Sequence, residues 1–197
     1  MTDDANPDFN VKRISPDEWQ ILRDMRLRSL LDAPEAFGQR HADAALQPDE
    51  EWQSNARASA SGSRRIWFIA RDVASGEPIG LVQGRRRPPA DCLLFSMWVA
   101  PEARRSGAGR ALVDAVAAWG ARWGAEKVIL WVLAANESAT RFYDRIGFRV
   151  LSEGPDVESG GSYGAFAMQR DLVPEVAASE TDEDEGEAAD AHGHDSD

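Results

Sequence analysis

Between Leu93 and Trp123 an apolar run, a turn with two glycines and a helical stripe follow one another without a gap. Leu93-Leu94-Phe95-Ser96-Met97-Trp98-Val99 is apolar except at Ser96, as a strand buried on both faces would be. Pro101 stops it, because proline offers no N–H to a strand ladder. Arg104-Arg105-Ser106-Gly107-Ala108-Gly109-Arg110 makes the turn. Ala111, Leu112, Ala115, Val116, Trp119 and Trp123 then recur at the spacing of one helix face. With strand, glycine turn and helix fixed in that order, the remaining chain must supply neighbouring strands and cover for both faces of a sheet.

Such a turn suits an anion. The first turn of a helix has N–H groups without intrahelical acceptors and the positive end of the helix dipole. Gly107 and Gly109 let a ligand approach the backbone, and Arg104, Arg105 and Arg110 add positive charge. A plain β–α connection with surface arginines is the other reading of the same residues. Two phosphate loops are excluded. No Gly-Lys-Ser/Thr follows, and Leu112 stands where the dinucleotide fingerprint needs a small residue.

Phe9 to Ile14 alternates as a first strand, and Ser15-Pro16-Asp17-Glu18 is a capping-box start for a helix carrying Trp19, Leu22, Met25 and Leu30. Pro34 ends that helix, 32–48 reads as irregular, and Asp49 opens a second helix through Trp52. Ile66–Ala70 and Ile79–Val82 pair as a hairpin, and Arg85-Arg86-Arg87-Pro88-Pro89 reads as a basic loop. Val128–Val132 is a second fully apolar strand. Asn136 caps a helix bearing Ala139, Phe142, Tyr143 and Ile146, which Gly147 closes in the left-handed conformation. Phe148–Leu151 and Tyr163–Arg170 are the last strands, on either side of a glycine-rich acidic loop. The order β-α-α-β-β-β-α-β-α-β-β predicts an α/β fold: a mixed, mostly antiparallel central sheet flanked by helices.

Charge divides the chain into a flexible lead-in (1–8), one domain (9–173) and an acidic tail (174–197). Ten of the acidic residues behind the net charge of −12 fall between Glu175 and Asp197, where there is no Lys or Arg. That tail lacks core-forming residues and is expected to be disordered. The domain is nearly neutral and has no basic face for nucleic acid. No apolar run reaches ~18 residues, so no membrane-spanning helix is expected. Cys92 is the only cysteine, which rules out an internal disulfide, and the cytoplasm is the simplest address. His192-Gly193-His194 reads as part of a solvated tail, and no metal site is expected.

Arg104-x-x-Gly107-x-Gly109, after Val99-x-Pro101, resembles the acetyl-CoA loop of the GCN5-related N-acetyltransferase (GNAT) family. Asn136-x-x-Ala139-x-x-Phe142-Tyr143-x-x-x-Gly147-Phe148 resembles that family's second signature, and Ala36-Phe37-Gly38 recurs in many members. The likeness spans roughly Val11 to Asp171. It implies an acetyl-CoA-dependent N-acetyltransferase that moves the acetyl group directly to a primary amine of a small molecule or protein. Met97, Trp98 and Val99 would pair with the pantetheine arm like a missing strand. Arg104, Arg105, Ser106, Gly107, Ala108, Gly109 and Arg110 would hold the pyrophosphate. Asn136 would lie beside the pantetheine and Tyr143 beside the thioester sulfur.

Acyl transfer needs a neutral amine, a donor for the oxygen that gains charge, and a proton for the departing thiolate. Tyr143 is the candidate acid, with a core aromatic as the competing role; Asn136 serves as helix cap, ligand contact or both. No carboxylate lies between Leu93 and Val99, so the base is unassigned: a water held by Ser96 or backbone carbonyls, an acid from elsewhere, or none if the amine arrives neutral. Asp32, Glu35, Glu153, Asp156 and Glu158 make the expected acceptor loops acidic, which would attract a cationic amine. The competing class is a non-catalytic acetyl-CoA sensor or scaffold whose acidic tail engages a partner. A longer acyl-CoA and a homodimer are compatible with the sequence.

Overall fold

The computed structural model describes residues 8–151 and 164–172. The acidic tail, the two tail histidines and Glu153, Asp156 and Glu158 lie outside them. One sheet runs in the order β1-β2-β3-β4-β5-β7-β6. Its strands are β1 (Phe9–Arg13), β2 (Arg65–Asp72), β3 (Pro78–Arg87), β4 (Asp91–Val99), β5 (Lys127–Leu133), β6 (Arg149–Val150) and β7 (Ala165–Asp171). Every described pairing is antiparallel except that of β4 with β5. This is the mixed, mostly antiparallel sheet with flanking helices that the sequence predicts.

Alternation along β2 builds two cores. Ile66, Phe68 and Ala70 face a cluster with Leu112, Val116 and Trp119 of α4 (Ala108–Arg122). Trp67 and Ile69 face a second cluster with Leu22 and Met25 of α1 (Trp19–Asp32) and Trp52 of α3 (Asp49–Ser61). Successive strand side chains point to opposite faces, so one apolar strand serves both. A buried Leu or Ile contributes roughly 1.5–3 kcal/mol, and both clusters hold several. α4 sits close on β3 because a Cβ at Gly80 would come 3.0 Å from Leu112 Cδ1, and one at Gly84 3.1 Å from the Trp119 ring.

The local signals hold where they are self-contained. The Ser15 capping box is present, with the Ser15 amide donating to Glu18 Oε2 at 2.9 Å. Gly147 adopts φ 90 at the end of α5 (Glu137–Arg145). Two expectations change. The irregular 32–48 stretch contains a short α2 (His41–Ala45), so three helices separate β1 from β2. The basic loop is strand: Arg85, Arg86 and Arg87 pair with Leu93, Cys92 and Asp91. Their guanidinium groups find partners beside the ladder: Arg85 lies over the Phe95 ring and Arg86 over the Trp123 ring, while Arg87 pairs with Asp91.

The sheet splits at its centre. Gln83 faces Phe95 and Leu81 faces Trp98, so Val82 alone opposes Ser96 and Met97. Ser96 takes φ 53 at this bulge. A bulge bends its strand and ends pairing nearby. The β4–β5 ladder stops at Leu93 opposite Ile129, whereas β5 keeps pairing with β7 as far as Leu133. Beyond Leu93 the edges of β4 and β5 diverge, and the gap between them is the site.

Candidate active site

Two cavities meet at this gap. The first, about 830 Å³, is a groove lined by Met97, Trp98, Val99, Arg104, Arg105, Gly107, Gly109 and Arg110, with Asn136 and Tyr143 on its far wall. The second, about 580 Å³, is lined by Phe95, Ser96 and Met97 from β4, Trp131 and Leu133 from β5, and Arg26 and Phe37 from the α1 side. Met97, Phe37, Asn136 and Tyr143 border both.

The turn before α4 is held open by its backbone. Arg105 and Gly107 adopt φ 68 and 95. Ser106 Oγ accepts from the Ala108 amide at 3.2 Å, leaving the Gly109 and Arg110 amides as first-turn donors. A Cβ on Gly107 would meet nothing nearer than the Phe9 ring at 3.8 Å, so this glycine serves the left-handed conformation. At Gly109 the reason is space: a Cβ would lie 3.2 Å from Met97 Cε and 3.3 Å from Phe142 Cζ. Two members of the expected loop set do not line the groove. Ala108 is fully buried in the α4 core, and Ser106 acts as a cap.

Arg104 is engaged by the protein itself. Its Nη2 pairs with Asp32 at the end of α1, and its Nε donates to the Val99 carbonyl at 3.2 Å. The indole of buried Trp98 donates to the same Asp32 carboxylate at 2.8 Å. Asp32 therefore ties α1 to β4 and the turn, and it lines the groove and not the second cavity. Arg105 has no carboxylate partner among the described residues, and Arg110 reaches only Asp114, at 3.5 Å on the surface.

Asn136 caps α5, accepting from the Ala139 amide at 3.0 Å through Oδ1. Its Nδ2 makes no hydrogen bond among the described residues, and Asn136 borders both cavities. Tyr143 lies on the same helix, its ring edge-on to Phe142 and Phe148 at 5.1 and 5.5 Å. The Phe148 amide returns to the Tyr143 carbonyl at 3.0 Å, so the Gly147 turn folds one aromatic against the other. Burial pushes the Tyr143 phenol above its ordinary range. Tyr143 is thus both a core aromatic and a wall of both cavities; the two roles coincide.

Three features of the site escape a reading of sequence alone. The Ser96 bulge shows only as one polar residue in an apolar run. Asp32 gives no local sign of its tie to Arg104 and Trp98, 72 and 66 positions on. Arg26 does leave a trace: it falls between Leu22 and Leu30 on the i, i+4 row of α1, a charge on the buried stripe. Among the described residues no carboxylate lines the second cavity, and no cluster of His, Cys, Asp or Glu could hold a metal ion.

A sheet split beside a glycine turn, with a tyrosine at the junction, defines a class, and comparison with known proteins agrees. The model of the acetyltransferase (GNAT) family matches residues 22–148, and the chain belongs to that family. An uncharacterized N-acetyltransferase of Mycobacterium tuberculosis is 35% identical over 87 residues, 44% of this chain and 54% of the relative. The match thus spans about half the length of that curated relative. The PaiA N-acetyltransferase of Thermoplasma acidophilum, solved with coenzyme A, superposes with a TM-score of 0.66 at 16% identity, covering 83% of this chain and 98% of that one. A spermidine N-acetyltransferase of Vibrio cholerae, solved with CoA and spermine, gives 0.64 at 16% identity over 86% and 98%. These structures share the fold.

Proposed function

We propose that this protein is an acetyl-CoA-dependent N-acetyltransferase that moves the acetyl group directly to a primary amine while both substrates are bound. The supporting observation is the junction: one groove suited to a pyrophosphate-bearing ligand and one separate cavity meet at Met97 and Tyr143. Acetyl-CoA supplies the activated acetyl thioester. The Gly109 and Arg110 amides, with Arg105 and Arg110, would hold its pyrophosphate. The unpaired edge of β4 from Met97 to Val99 would accept the pantetheine arm, with Asn136 Nδ2 as a further donor.

Tyr143 Oη keeps its proton at neutral pH and is the group able to pass it to the departing sulfur. Direct transfer is favoured by where the chain's one thiol lies. Cys92 is buried against α4, lines neither cavity, and is pushed up to about 12 by burial and by nearby Asp91. An acyl group carried on Cys92 therefore has neither the access nor the thiolate it needs.

The test is thiol release from a panel of acyl-CoAs with a panel of amines, followed by initial rates at varied concentrations of both. Intersecting double-reciprocal lines are expected. Parallel lines would point to a covalent enzyme intermediate. Tight acetyl-CoA binding without thiol release for any amine would make the domain a binding module. Faster release from a longer acyl-CoA would replace acetyl as the preferred group.

A further inference from the structure

Arg26 lies on the buried face of α1 with 6% of its surface exposed, and it lines the second cavity. Its neighbours on the same helix, Arg23 and Arg28, are partly exposed and each has a carboxylate, Asp49 and Glu102. Arg26, the buried one, has no carboxylate partner among the described residues. Nε and Nη2 donate to Gln39 Oε1 at 3.4 and 3.2 Å, and Nη1 donates to Ser29 Oγ at 3.4 Å. The Phe37 ring covers the guanidinium at 4.6 Å.

A guanidinium carries one N–H on Nε and a pair on each terminal nitrogen. After Gln39 and Ser29 are served, one N–H on Nη1 and one on Nη2 remain. All the partners present are neutral. Burial lowers the Arg26 pKa to about 10, which still leaves the group cationic at neutral pH. A buried charge without an opposite charge is unfavourable, and an incoming anion relieves it. Much of the remaining wall, including Phe37, Phe95, Met97, Trp131 and Leu133, is apolar, and its other polar members, Ser96, Asn136 and Tyr143, are neutral. A polyamine would find no carboxylate on the described walls for its second cation and would be repelled by Arg26.

We propose that Arg26 anchors the acceptor, and that the cavity takes an amine with an apolar body and a carboxylate, as in an apolar amino acid. This rests on the acetyltransferase reading for the amine's fate, not for its binding. Carboxylate is the fitting anion because two N–H groups on adjacent terminal nitrogens match its two oxygens in one plane.

The experiment uses the full chain and one matched pair: L-phenylalanine against 2-phenylethylamine, with their N-acetyl products for calorimetry in the presence of CoA. ω-Amino acids of increasing length find the preferred amine–carboxylate spacing. Wild type is expected to favour the carboxylate member of the pair, or the best ω-amino acid over its alkylamine, by roughly tenfold to a hundredfold in kcat/KM. The N-acetylated carboxylate should bind tighter by a similar factor. Arg26→Gln should bring both ratios close to one, and Arg26→Lys, which keeps the charge without the fork, should fall between. Melting curves check that each variant is folded; if the Gln variant is not, the wild-type pair and the Lys variant decide. Equal affinity of wild type for the paired products across all spacings would overturn the assignment, as would a preference that survives in Arg26→Gln. Selective binding with no thiol release would leave the carboxylate site standing and overturn the acetyltransferase reading instead.

Discussion

The groove and the second cavity share walls at Met97, Asn136 and Tyr143, yet they are built by different means. The groove is made of backbone: a glycine turn, a helix N-terminus and a strand edge, with arginines at its rim. The cavity is made of side chains that converge from α1, the loop after it, β4 and β5. Backbone donors would suit any ligand with a phosphate, whereas a wall of side chains selects by shape and charge. The contrast extends to charge. The groove's arginines at 105 and 110 are near the surface, where water moderates their cost, while Arg26 is buried with only neutral partners among the described residues.

The junction is where this contrast is most easily broken. Tyr143→Phe keeps the ring against Phe142 and Phe148 and removes only the O–H. Single-turnover rates should fall by roughly a hundredfold, with acetyl-CoA affinity and melting temperature little changed. Wild-type single-turnover rates in that variant would return Tyr143 to a purely structural role. Because burial raises the phenol's pKa, the wild-type pH–rate profile should show no descending limb from Tyr143 below about pH 10. The same direction predicts a stability contribution that is present below the unfolded pKa of about 10 and lost as pH rises toward the folded value. Alkaline denaturation of wild type beside Tyr143→Phe checks it.

On the groove side, Gly107 and Gly109 should fail for different reasons. Gly107→Val places a β-branched residue at φ 95 and should weaken acetyl-CoA binding by about tenfold through strain in the turn. Gly107→Asn, whose side chain tolerates that region, should lose much less. At Gly109 both Ala and Asn should disturb Met97 and Phe142, so the asparagine advantage should vanish there. Calorimetry with acetyl-CoA separates the two patterns, and equal losses for Val and Asn at Gly107 would remove the conformational argument.

Smaller effects test the ties between the two halves. Asp32→Ala leaves the buried Trp98 indole without its acceptor and should cost about 1–3 kcal/mol in urea unfolding. Its Arg104 pairing is partly exposed and adds little to that figure. Last, Ser96→Gly should leave stability unchanged or raise it, by at most about 1 kcal/mol, since glycine accepts φ 53 freely. Ser96→Val should lower it by about 1–2 kcal/mol and slow transfer. A tolerated valine would mean that the bulge does not hold the strands apart.

What the sequence determined by itself is local. The strand–turn–helix, the Ser15 capping box, the Asn136 cap and the left-handed Gly147 each depend on a few adjacent residues, and each is present. The groove is mostly of this kind: most of its lining falls in the β4–turn–α4 stretch and in α5. The arginines at 85–87 show the limit even there. Their charge suggests loop, but in the strand the guanidinium groups of Arg85 and Arg86 lie over the Phe95 and Trp123 rings, partners that only the packed sheet supplies. Tertiary structure alone decided the rest. The Asp32–Arg104 and Asp32–Trp98 ties join residues far apart in the chain, the split follows from where β3 and β4 pair out of step, and Arg26 meets Phe37 and Gln39 only once α1 is packed. A side chain's burial and the partners left to it depend on which elements pack together, and no spacing within one element records that.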